Sequence, residues 1–244
     1  MTLQRAEYEF KYYNPAGKYI FSIFNYHKAN FWVSEKEVGS FYIDIPYTIA
    51  NEIIKVIEID GIFEIYRSYI GGKNELMFKK RWFVALWRDK VDERGIKYTR
   101  IRCLGCNNLI DRRIIYYRPE TSQVTVSAED ADDAIKRLVR ENLGADCTEA
   151  TRDWSDKITI ADDKTKAPAV NLDGLQYRKL LPVLQELCDL SYSTNEIYLT
   201  FDLKWIASNK KYFFDTYVNQ LGANSGTDSQ TPFYLTAYID DKYS

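Results

Sequence analysis

The chain carries one histidine, His27, in 244 residues, and that scarcity excludes a good deal of chemistry. Ser–His–Asp relays, Cys–His nucleophiles and multi-histidine metal sites all need an imidazole, so each would have to use His27. A solitary histidine is more commonly a packing or surface residue. No apolar run approaches the ~20 residues of a membrane span. The opening residues, MTLQRAEYEFKYY, hold no apolar core of a secretory signal. A basic surplus is missing too. With 33 Lys and Arg against 35 Asp and Glu, the net charge is −2 and the pI about 5.7, which argues against a nucleic-acid-binding protein. The sequence contains no GxGxxG, no P-loop, no repeat at solenoid periods and no low-complexity tract.

Cysteine is sparse: Cys103, Cys106, Cys147 and Cys188. Four without a regular framework point to a reducing compartment or to assembly inside a cell. Cys103-x-x-Cys106 resembles half a zinc knuckle, but the other two cysteines form no second pair and structural zinc prefers two tight pairs. Redox work would want the CxxC at a helix N-terminus after a strand, and a β-turn is expected here. Buried or turn thiols are the default.

Acids cluster at Asp130/Asp132/Asp133 and Asp162/Asp163. Either cluster has donors for a divalent cation, yet the first falls in the opening turn of an expected helix, where acids suit the dipole anyway. Paired carboxylates for glycoside hydrolysis are not identifiable from spacing across strands. Arg112-Arg113 has two readings, a contact for an acidic partner or a register device or interior ion pair. No catalytic, cofactor-binding or metal-binding residue is assigned, and no enzyme is expected.

What the chain does have is aromatic weight. Aromatics reach 15%, with 20 Tyr, in a composition that is 45% hydrophobic and 28% charged, the profile of a soluble globular protein. Tyrosine-rich surfaces suit extensive protein contacts or sugar stacking. Period-two alternation runs through Tyr8–Tyr12, Tyr19–Phe24, Phe31–Val33, Ser40–Ile45 and Ile62–Ile70. The run Leu76–Arg88 is apolar on both faces and reads as a central covered strand. Thr48–Lys55 is a short helix candidate, after which Ile57–Ile59 returns to alternation.

The stretch Ile96–Tyr117 is the anchor of the reading. Tyr98, Arg100 and Arg102 share one strand face and Thr99, Ile101 and Cys103 the other. Gly105 and Asn107-Asn108 supply a turn, and Leu109–Ile115 resumes as an expected strand.

Beyond residue 120 the period changes. Ser127 is read as an N-cap with Asp130 at the capping-box position, followed by a stripe of Ala131, Ala134, Ile135, Leu138, Val139 and Leu143, with Gly144 as C′ residue. Asp132 and Lys136 are expected on the solvated side of this helix. A second helix spans Leu175–Leu190 with Tyr177, Leu180, Leu181, Leu184, Leu187 and Cys188 buried; Pro182 makes it start late or kink. Short strands are expected at Ile158–Ala161 and Ala169–Leu172, and longer ones at Glu196–Trp205, Lys211–Val218 and Pro232–Tyr238, with a polar loop at Gly222–Thr231. The expected fold is α+β: mostly antiparallel β-barrel or sandwich domains with an inserted two-helix α/β subdomain. Residues 1–120 form the β part, 121–192 the α/β insertion, and 193–244 strands that complete the β part.

A strand, a Gly, a polar pair and then Leu-x-x-Arg-Arg-Ile-Ile, here Ile101 to Ile115, resembles a signature of tail hub proteins of long-tailed bacteriophages. The later elements are similar in kind and order: helix Asp133–Gly144, strand Ile158–Ala161, helix Leu175–Asp189, a strand with Phe201-Asp202, and a Gly-rich loop after Tyr217. The resemblance covers about the last 150 residues. It implies a virion structural protein of the tail tip or baseplate, assembled in the host bacterial cytoplasm. Such a hub is a homotrimer whose β-barrel domains continue the tail tube as a pseudo-sixfold ring. Its implied partners are the distal tail protein, the tail tube, the tape-measure protein and the tail fibre or spike, with no nucleic-acid sequence recognition and no membrane span. Family members commonly continue past the point where this chain stops, so it is either a compact version or part of one, without a C-terminal spike or lysin domain. The competing readings are a carbohydrate- or receptor-binding module, a distal tail ring protein, and a cell-wall hydrolase using acidic residues.

Overall fold

A computed structural model of the chain describes residues 6–69, 74–116 and 123–219. The expected strand Pro232–Tyr238 and the loop Gly222–Thr231 lie outside the described residues. The architecture is α+β, dominated by antiparallel strands. Its described residues divide into two compact units: those up to Val33 and from Val38 to Cys106 form the first, and Ser34–Glu37 with those from Asn107 onward the second.

The first unit strings together β1 (Ala6–Tyr13), β2 (Tyr19–Ile23), β3 (Lys28–Trp32), β4 (Ser40–Pro46), α1 (Tyr47–Ile53), β5 (Ile62–Tyr69), β6 (Glu75–Leu76), β7 (Trp82–Val91) and β8 (Lys97–Leu104). They build one sheet in the order β2-β1-β5-β7-β8-β4-β3, with β6 pairing β5 off that path. The expected alternation decides the faces. Phe10 and Tyr12 on β1, Phe41, Ile43 and Ile45 on β4, and Ile101 and Cys103 on β8 point into one core, while Lys11, Tyr42, Asp44, Arg100 and Arg102 point away. The sheet curls over this core. Phe10 stacks on Phe41 at 5.6 Å although four pairings separate β1 from β4, and Phe41 in turn meets Phe63 and Trp82. Gly61 is required here, because a Cβ would lie 2.2 Å from the Tyr12 hydroxyl, which accepts the Glu58 amide.

Two local expectations fail in this unit. The run Leu76–Arg88 is not one strand. Met77–Lys79 form a turn with Phe78 and Lys79 at positive φ, and the strand restarts at Trp82. The turn brings the Phe78 ring edge-on to Phe31 at 5.2 Å, a contact that accompanies the strained backbone. Ile57–Ile59 forms no strand: Ile57 is buried and Ile59 exposed in a turn that leads to Gly61.

The second unit holds α2 (Asn108–Asp111), β9 (Val126–Asp130), α3 (Ala131–Leu143), β10 (Ile158–Ile160), β11 (Ala169–Leu172), α4 (Leu180–Asn195), β12 (Leu199–Ile206) and β13 (Lys211–Val218). β10 runs parallel to β13, which pairs antiparallel with β12; β9 and β11 form a separate antiparallel pair. The strands at 199–218 therefore complete a sheet of this unit, whereas the sequence placed them with the N-terminal β part. The whole expected stripe of α3 is buried, as are Leu180, Leu181, Leu184, Leu187 and Cys188 of α4. Pro182 sits in the first turn of α4, where amides have no helical acceptor, so the late start is the outcome and the helix needs no kink.

Four further expectations are corrected. Leu109–Ile115 is not a strand: α2 takes its first residues, and Ile114 makes an isolated bridge to Lys179. Burial of Leu109, Ile110 and Ile115 is what the apolar run reported, and that burial is met by a helical turn as well as by a strand. Ser127 is not an N-cap, because β9 pairs with β11 as far as Asp130, which takes the N-cap position of α3 in extended conformation without a side-chain capping bond. Tyr177 is 67% exposed, since α4 begins after it. Asp132 and Lys136 are buried, not solvated, for a reason that belongs to the site below.

Candidate assembly surfaces and buried polar clusters

Residues with chemical potential come first. Cys103 points into the core of the first unit and Cys106 lies in the turn after β8; both are buried, and all four cysteines are free thiols. Burial raises the Cys103 thiol well above its usual range, the reverse of what a nucleophile or a redox pair needs. Cys106 Sγ donates to the Arg81 carbonyl and accepts from the Arg81 amide, both at 3.2 Å, a structural clip. Cys188 is pushed up to about 12 by burial. Cys147 also titrates high, chiefly from burial. His27 is exposed at the start of β3, where its amide donates to the Asp44 carbonyl.

The acidic clusters do come together, but as a clamp. Asp132 accepts from the amides of Lys166 and Ala167, and Asp133 from the amides of Lys164 and Thr165 and from the Thr165 hydroxyl. Burial alone would raise Asp133, yet these hydrogen bonds and the nearby Lys136 charge outweigh it and hold the carboxyl below its ordinary range. Asp130 shifts upward instead, from desolvation and then from Asp132, Asp133 and Glu129. Asp163 pairs with Arg140 at 2.8 Å. Lys136, fully buried, donates to the Asp162 carbonyl at 2.6 Å and lies 3.7 Å from Asp215, which also binds Lys164 at 2.6 Å. The opening acids of α3 thus fasten the loop at 164–167. Among the described residues no group of three or more His, Cys, Asp or Glu is placed to hold a metal.

Arg113 is stacked over Trp154 at 4.9 Å, and its guanidinium is lowered first by burial and then by the charge of Arg152. A shallow depression of about 250 Å³ is lined by Tyr47, Asp89, Lys90, Val91 and Lys97 and presents no tryptophan face for a sugar. No helix among the described residues is long and apolar enough to cross a membrane.

The sheet ends are a different kind of site. Among the described residues β2 pairs only with β1, and β3 only with β4, so each leaves one backbone edge without a strand partner. Large apolar side chains cluster at both ends: Tyr19 is 51% exposed, Phe24 68% and Trp32 44%. Edges of this kind invite pairing with another chain unless they are covered. Nothing in the sequence marked them, because exposure of a strand edge depends on which strands come last in the sheet order.

No family model and no curated protein matches the sequence. Solved structures that align with it include tail proteins and a VgrG complex. A tail protein from Neisseria meningitidis MC58 aligns over 86% of this chain and 51% of its own length, at 10% identity and TM-score 0.45. The 43 kDa tail protein of prophage MuSo2 from Shewanella oneidensis gives 12% identity and TM-score 0.46, covering 86% and 54%. A Francisella PdpA–VgrG complex gives 13% and 0.45, covering 92% and 31%. The chain spans about half the length of the two tail proteins.

Proposed function

We propose that this chain is a structural subunit of a phage-type tail, acting as a hub that closes the distal end of the tail tube. In this reading it assembles as a homotrimer at the virion tail tip and joins the distal tail protein, tube and tape-measure protein to a tail fibre or spike. The observation that carries the proposal is the eight-stranded sheet, each end of which leaves an edge without a strand partner among the described residues, with exposed Tyr19, Phe24 and Trp32 beside those edges. A subunit built to be continued by its neighbours needs such edges, and closed symmetry lets one surface serve repeatedly. The resemblance of Ile101–Ile115 and the order of elements after it support the same reading. So does the character of the polar groups: the carboxylates of Asp132, Asp133, Asp163 and Asp215 and the Cys106 thiol are engaged in holding the fold.

Light scattering and electron microscopy of the purified chain test this. The expected result is a trimer or ring, weakened by the double change Phe24→Ser and Trp32→Ser with the thermal unfolding of the subunit little altered. A stable monomer at high concentration that joins no tail complex would overturn it. A monomer that binds glycan moves the reading to a carbohydrate-binding module, and peptidoglycan hydrolysis by this chain alone moves it to an enzyme.

A further inference from the structure

The outward face of the β7–β8–β4–β3 part of the sheet is strongly basic, in a chain whose net charge is −2. Strand register builds it. Lys28, Asp44, Arg100 and Arg88 stand in one cross-strand row, and Asn30, Tyr42, Arg102 and Leu86 in the next. On the other side of the first row lie Pro46, Tyr98 and Lys90. These rows hold five cations and one carboxylate. Asp44 is spent on Arg100, whose Nε and Nη2 reach its two oxygens at 2.6 and 2.7 Å. Arg88, Lys90 and Arg102 have no ion pair among the described residues, and Arg88 and Arg102 are exposed. Arg88 faces Arg100 directly across the ladder; Asp44 neutralises Arg100 and leaves Arg88 with no anion of its own among the described residues.

We propose that this face docks an extended acidic segment of a partner protein, its carboxylates pairing with Arg88, Lys90 and Arg102. The spacing fits. Cations two residues apart on one strand, Arg88 with Lys90 and Arg100 with Arg102, stand about 7 Å apart, the repeat of alternate side chains on an extended chain. Protein acids suit the face better than a nucleic acid does. The Tyr42 ring is already covered by the Arg100 guanidinium at 4.1 Å, which removes a stacking platform for a base. Arg and Tyr beside Leu86 and Pro46 give the mixed composition of a protein–protein contact. The proposal rests on this charge register and is independent of the tail reading.

The test is fluorescence anisotropy of a labelled 20-residue poly-glutamate probe with the full chain, at low and raised salt. Saturable binding that weakens with salt is expected, and Arg88→Glu with Arg102→Glu should weaken it about tenfold or more. Arg88→Gln with Arg102→Gln should show a smaller loss in the same direction, a check free of new charge repulsion. Lys18→Glu with Arg94→Glu, at two exposed turns, should leave binding unchanged. Absence of saturable binding, equal loss in the Lys18/Arg94 control, or tighter binding of a duplex DNA of equal charge would each overturn the proposal.

Discussion

The two units solve burial in opposite ways. The first fills its interior with rings, with Phe10, Tyr12, Phe31, Phe41, Phe63 and Trp82 all nearly inaccessible, and keeps its ion pairs such as Asp44–Arg100 on the outward side of the sheet. The second has smaller aliphatic contacts between α3 and α4 but places a whole lysine, Lys136, inside. The first core is held by dispersion and area, which salt and pH barely touch. The second depends in part on charges and donors that must all be matched, because an unpartnered buried charge costs far more than a paired one returns. One architecture tolerates crude changes of volume badly; the other tolerates changes of charge badly.

Deleting a ring gives the sharpest contrast. Trp82→Ala should cost about 3–5 kcal/mol in urea-induced unfolding, because packed neighbours such as Phe41 cannot collapse into the space. A loss below about 1 kcal/mol would mean the aromatic core is loosely packed and the contrast false.

Leu138→Ala and Leu184→Ala, at fully buried positions of α3 and α4, should each cost about 2–5 kcal/mol. Equal and negligible losses in melting would refute the pairing of the two apolar stripes.

Lys136 separates charge from volume. Lys136→Ala should cost about 3 kcal/mol, since it strips the Asp162 carbonyl of the Lys136 donor and takes from Asp215 one of its two cationic neighbours, leaving Lys164. Lys136→Met retains the apolar stem, so most of its loss reports the charge. If Met proves as stable as Lys, the network is not what holds the loop at 162–167.

The smallest effect is one of pH. The carboxyl of Asp133 is held below its ordinary value of 3.8, so its contribution to stability is present above that pH and is lost as pH falls through the lower folded value. Denaturant unfolding followed from neutral pH to below pH ~4 should therefore show a decline that Asp133→Asn partly removes. An unchanged acid limb in the variant would show that the clamp at Lys164 and Thr165 is not coupled to folding.

How much of this was legible in the chain depends on distance along it. Alternation at Tyr98–Cys103 and the three-and-four stripe from Ala131 to Leu143 were read correctly, and β13 spans Lys211–Val218 as expected. Each reports on the burial of one face by the element's own periodicity, which is a local property. Period also misled, at Leu109–Ile115, where burial of both sides is compatible with a helical turn as well as with a strand. The surfaces were less legible than the elements. No pattern within β2 or β3 says that these strands come last in the sheet among the described residues, and none within β7 says that Arg88 will face Arg100.

The sequence by itself determined the class of fold, the scarcity of groups for nucleophilic chemistry, and which apolar residues of α3 and of strands such as β8 turn inward, because composition and periodicity are summed over neighbours in the chain. Tertiary structure alone decided that Asp132 and Lys136 are buried, that β12 and β13 join β10, and that five cations line one sheet face. Those outcomes hang on partners tens of residues away, the amides at 164–167, the Asp162 carbonyl, Asp215 and the cross-strand register. A polar side chain's place is set by whichever donor or acceptor the fold brings to it, and no local pattern encodes that meeting.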